Sequence, residues 1–132
     1  MEFSKHQIEA MEYKGGEIKF KDEECKKNYE HTVEVNSKDG YGKGIVNFMN
    51  RWAKCMQYLI EYEGFKVGDA AAATEFSCDF EGMSGFSFGC AVQTLCKYWA
   101  FGDELKDWHN NKFNYKGKGV VNPAILTVEE EK

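Results

Sequence analysis

Between Gly40 and Glu63 the residues Tyr41, Ile45, Phe48, Trp52, Cys55, Leu59 and Tyr62 recur at alternating intervals of four and three. An α-helix turns once every 3.6 residues, so this spacing draws one continuous stripe along one face, flanked here by Val46, Met49, Met56 and Ile60. It predicts a long, half-buried amphipathic helix. Gly64 can adopt the left-handed conformation that ends a helix, and Phe65 just after it can make the apolar contact that goes with such an end. A second stripe runs from Ser84 or Gly85 to about Asn110 through Phe88, Val92, Leu95, Trp99, Gly102 and Leu105, widened by Phe86, Cys90 and Phe101. Its first half is apolar nearly all round, which places that half centrally. The two long helices are expected to pack as the main pair, with Trp52 and Trp99 as core anchors. Gly85 and Gly89 each forgo about 1 kcal/mol of helix propensity relative to Ala. That loss suggests a close approach of another backbone, for which Gly40, Gly42 and Gly44 are the expected counterparts.

The rest of the chain is read around this pair. Asp22 is an acceptable N-cap, and Cys25, Tyr29 and Val33 follow at spacings of four, predicting a helix that ends near Asn36. Asp69 is expected to cap a short helix through Ala70–Ala73 that fades between Cys78 and Gly82. Lys14-Gly15-Gly16 separates Met11–Tyr13 from Glu17–Phe20 and reads as the turn of a short hairpin. After Asn114 the chain becomes rich in Gly and Lys, then offers Val120, Val121, Ile125, Leu126 and Val128 around Pro123, which suits an extended tail or edge strand. The expected fold is mostly α: a compact bundle of three to four helices with a hairpin in 1–21, a helical core over 22–114 and an extended tail over 115–132. No repeat or composition break divides it, so one domain over 1–132 is expected.

A chain of 132 residues can bury about two thirds of its unfolded surface, and 42% hydrophobic residues supply a core without disulfides or a structural metal. Its formal charge of -5 removes the attraction to phosphate that nucleic-acid binding depends on, while leaving open a basic protein surface as partner. Five cysteines with no CxxC pair read as reduced, mostly buried thiols. The first residues carry no apolar signal region and no stretch approaches a membrane span, so a cytoplasmic protein is expected.

Motifs for chemistry fail one by one. His6, His31 and His109 lie far apart, and Cys90 and Cys96 point to different sides of a helix, so no zinc site is expected. The thiols sit within apolar stripes, where burial makes them poor nucleophiles. Gly40-Tyr41-Gly42-Lys43-Gly44 lacks the Walker spacing and a preceding strand. Glu23 and Glu24 match the start of the magnesium motif of all-α pyrophosphohydrolases, but Lys27 stands where a further carboxylate is required. Neither catalysis nor a cofactor is expected. The segment GDELKDWHNNKF is the most unusual chemically, since it gathers Asp103, Glu104, Asp107, Trp108 and His109 at the end of the last helix. Carboxylates beside an indole and an imidazole suit the recognition of a partner. The competing reading is a solvated acidic face, a Trp that closes the core, and a His whose cationic form suits a helix C-terminus.

The stretches VNSKDGYGKGIVNFMNRWAKCM, GMSGFSFGCAVQTLCKYWAFGDELKDWHN and GKGVVNPAILTV resemble, over roughly residues 34 to 128, small uncharacterised proteins encoded by phages and prophages of Firmicutes. That resemblance implies an accessory protein acting against a host defence, anti-CRISPR proteins included. The expected function is a non-enzymatic inhibitor that binds a host defence protein, a CRISPR nuclease among them, through the acidic and aromatic face; a homodimer is compatible with it. The alternative is a small-molecule (nucleotide) binding protein or nucleotide-processing enzyme of phage origin.

Overall fold

The computed structural model describes residues 3–75 and 85–113, and in them the chain forms six helices: α1 (Lys5–Gly15), α2 (Glu23–Asn36), α3 (Gly40–Tyr62), α4 (Val67–Thr74), α5 (Gly85–Tyr98) and α6 (Gly102–Phe113). The mostly α expectation holds. The helix count exceeds the expected three to four for two reasons, one at each end of the described chain. The expected tail over 115–132 lies outside the described residues, as does Cys78.

The expected N-terminal hairpin is instead a helix. Ser4 Oγ accepts from the Gln7 amide at 3.2 Å while Gln7 Oε1 accepts from the Ser4 amide at 2.8 Å, a reciprocal cap that starts α1. Ile8, Met11 and Gly15, at spacings of three and four, form its buried face and pack it along α3. The glycine pair has a different use from a hairpin turn. A Cβ on Gly15 would overlap the backbone carbonyl of Lys54, and Gly16 ends the helix at a φ of 68°.

The stripe expected from Ser84 to Asn110 is divided at Trp99–Phe101. There the segment Lys19–Lys21 runs antiparallel to Tyr98–Ala100. The Ala100 amide donates to the Lys19 carbonyl at 2.9 Å, the Lys21 amide donates to that of Tyr98 at 3.2 Å, and Phe20 pairs with Trp99. Gly102 then begins α6, where a Cβ would overlap the carbonyl oxygens of Leu95 and Cys96. The turn preserves the helical spacing of the apolar residues, so periodicity alone reads straight through it.

α3 spans the middle and touches α1, α2, α4 and α5. Asp39 caps it, accepting from the Tyr41 amide at 2.7 Å and that of Gly42 at 3.2 Å. At its other end Gly64 has φ 75°, and the Glu63 and Phe65 amides both donate to the Leu59 carbonyl, as the sequence leads one to expect. The stripe's two outermost tyrosines are exceptions, for Tyr41 and Tyr62 are exposed. α2 begins at Asp22, which accepts from the Cys25 amide at 2.7 Å. α4 begins at Val67, two residues before the expected cap Asp69, and Lys66 at its N-cap makes no side-chain bond.

Trp52 and Trp99 are fully buried, as expected of core anchors. Trp52 meets Phe48 (ring centroids 5.4 Å apart), Phe88 (5.5 Å) and Trp108 (6.1 Å), and its indole N–H donates to Thr74 Oγ1 at 2.9 Å. α3 and α5 do pack together, but none of the described glycines makes the expected close contact between them, the surroundings of Gly85 lying outside what is described. Gly40, Gly44 and Gly89 face open space, and Gly42 instead gives room to Asn36 in the turn from α2. Large apolar side chains make the contact.

Candidate functional site

The helical period separates the residues of α6 into three faces. Leu105 is fully buried, and Trp108, one turn on, packs against the core beside Trp52. Its ring lies 3.4 Å from where a Cβ on Gly68 would stand, so the glycine of α4 leaves room for the indole. Glu104 and Asp107, three apart, are exposed. Asp103, Lys106, His109 and Asn110 form the third face, which looks toward α5.

Of the five residues singled out in the sequence, two therefore meet in one place. Asp103 and His109 line a cleft of about 510 Å³ together with Lys21, Gln93, Cys96, Lys97, Lys106 and Asn110. Glu104 and Asp107 stand on the outside of α6. Trp108 is the core-closing indole rather than an exposed aromatic, because Phe101, Leu105 and Trp108 share one stripe. His109 is half-buried, its ring centroid 6.5 Å from that of Trp108.

Charge in the cleft is organised around Lys21. Its ammonium donates to Asp103 Oδ1 at 2.8 Å and to the Cys96 carbonyl at 3.0 Å, satisfying an otherwise unpaired group at the end of α5 and tying it to the first turn of α6. The hydrogen bond and charge of Lys21 hold the Asp103 carboxyl below the usual carboxylate range, although the side chain is 80% exposed. Burial pushes the Cys96 thiol up to about 11, so it stays protonated at neutral pH. Lys97 and Lys106 form no ion pair among the described residues.

Sequence reasoning misses the lysines of this cleft. Gln93, Cys96 and Lys97 lie within about one turn on α5, and Asp103, Lys106 and Asn110 recur at intervals of three and four on α6. Two polar faces of neighbouring helices are thus visible in the sequence, but their meeting depends on the turn at Trp99–Phe101.

Two general properties bear on what the site can do. Among the described residues, no group of three or more His, Cys, Asp or Glu side chains is placed to hold a metal ion. No helix among them is long and apolar enough to cross a membrane.

No curated protein and no solved structure matches the chain. The family model of the type I Thoeris inhibitor Tad4 matches residues 18–130, a stretch that begins at the segment clipped to the α5–α6 turn and takes in the whole cleft. The chain belongs to the type I Thoeris inhibitor Tad4 family, a family of phage anti-defence proteins.

Proposed function

We propose that this protein blocks type I Thoeris defence by stoichiometric binding to a host protein of that system, without catalysing a reaction, and that the outer face of α6 is where the partner docks. The family match supports the defence system; it replaces the CRISPR nuclease expected from the sequence. One observation carries the choice of surface. Glu104 and Asp107 project from a helix whose neighbouring stripe, Leu105 and Trp108, is locked into the core, with Asp103 one residue before Glu104. Charges held on a rigid element reach a basic surface already oriented, which speeds encounter and fixes register. His109 lies on the cleft side of α6, away from this face, while Trp108 anchors the helix that carries it.

The reading is tested in a host carrying a type I Thoeris system and infected by a phage that the system restricts. Expression of the wild-type chain should restore plaques, and E104K/D107K should fail to do so while melting at the same temperature as the wild type. The purified chain should co-purify with a Thoeris protein, and that capture should weaken as salt rises. Full inhibition by E104K/D107K would move the working surface elsewhere, and inhibition without any captured Thoeris protein would reject the protein-partner reading.

A further inference from the structure

The inner face of α6 has the opposite character to the outer one. The chain carries a net charge of -5, yet the cleft between α5 and α6 gathers three lysines and a single carboxylate. That carboxylate, Asp103, is hydrogen-bonded by Lys21 and feels the charge of Lys106 as well, so one negative charge faces three positive ones, and neither Lys97 nor Lys106 forms an ion pair among the described residues. Like charges lining one cleft repel one another, and the arrangement becomes favourable when an anion lies among them.

We propose that this cleft is a binding site for a phosphate ester of nucleotide size, with Lys97 and Lys106 holding the phosphates. The volume of about 510 Å³ falls within the usual range for small-molecule sites and far exceeds what a free phosphate ion needs. Gln93 and Asn110 supply amides that both donate and accept, the chemistry that reads the polar edge of a base or the hydroxyls of a ribose. His109 adds a ring at the same wall. A nucleic-acid strand fits less well, because its phosphates continue along a molecule whose net charge is negative. Lys21 is a positioning residue here: bound to Cys96 and Asp103, it sets the two helices in place.

The test uses the full chain in calorimetric titrations at low ionic strength with ADP, ATP, inorganic phosphate, adenosine and a short DNA duplex. ADP and ATP should bind, and phosphate and adenosine should each bind at least about tenfold more weakly than ADP. K97A/K106A should weaken ADP by about tenfold or more without lowering the melting temperature, and K97R/K106R should retain most of the affinity because the charge is kept. E104K/D107K should still bind ADP, which separates this site from the outer face. Failure of both nucleotides to bind, or binding indifferent to K97A/K106A, overturns the proposal. Phosphate binding as tight as ADP overturns the nucleotide assignment, and a preference for the duplex makes the cleft a nucleic-acid contact instead.

Discussion

Gln57 is a buried polar residue whose amide is fully used. Its Nε2 donates to the Gly15 carbonyl at 3.0 Å and to the Glu17 carbonyl at 2.9 Å, while Oε1 accepts from the Lys19 amide and from the Trp99 indole, both at 2.8 Å. Two donors and two lone pairs meet four partners, so one side chain on α3 joins the end of α1, the following segment and the α5–α6 turn. Gln57→Leu keeps the volume but strands these groups, and each unsatisfied buried group costs about 1–3 kcal/mol. The variant should therefore lose about 3 kcal/mol or more in urea unfolding; an unchanged midpoint would show that water replaces the amide. Cys96 makes a separate prediction. With its thiol pushed up to about 11, it should react with iodoacetamide at pH 8 about tenfold more slowly in the native chain than in the urea-unfolded one, read by mass spectrometry. The difference should shrink as the pH rises toward that value, because the native thiol then ionises too.

At the scale of the elements, sequence periodicity reveals faces better than it reveals ends. α3 is legible because a core-facing stripe of that length has few other interpretations, and α2 because Asp22 and the acids after it mark a helix start. α1 escapes notice although Ser4 and Gln7 stand at capping-box spacing, since the glycine pair after it carries the same signal in a helix end as in a hairpin. Trp108 is ambiguous for a related reason, and the core-closing reading is the one the fold takes: Phe101, Leu105 and Trp108 follow the core spacing of four and three, while its acidic neighbours suggest a surface. The division between α5 and α6 has no local signature, because it is enforced by residues Lys19–Lys21 from far away in the sequence. Gly102 is its steric requirement. Gly102→Ala would press a methyl group into the carbonyls of Leu95 and Cys96, and neither helix can yield without disturbing Trp99. Despite the gain in helix propensity, this variant should lower the melting temperature measured by circular dichroism, whereas Gly89→Ala, which faces open space, should raise it.

For the whole molecule, α3 is the member that most others lean on, and local opening elsewhere can leave it covered. Hydrogen exchange should therefore be slowest over Met49–Leu59, where most side chains are buried and none is fully exposed, and much faster in α2, whose only buried residue is Tyr29. Protection in α2 equal to that in α3 would mean that the helices open only together. The two polar faces of α6 give the molecule a polarity that its net charge hides, with Glu104 and Asp107 on one and, on the other, Lys106 facing the cleft that Lys21 and Lys97 share. Composition alone could supply the acidic half of that description, because only folding brings Lys21, Lys97 and Lys106 together.

The Lys21–Asp103 bridge joins residues 82 positions apart. A ribosome delivers the chain from its N-terminus, so Lys21 waits through the synthesis of α2, α3, α4 and α5 before its carboxylate partner exists. Closing so long a loop carries an entropic cost that local helices avoid, and it falls late in the order of events. The cleft is therefore among the last features to mature, and a nascent chain halted after α5 would have most of the core residues but no site.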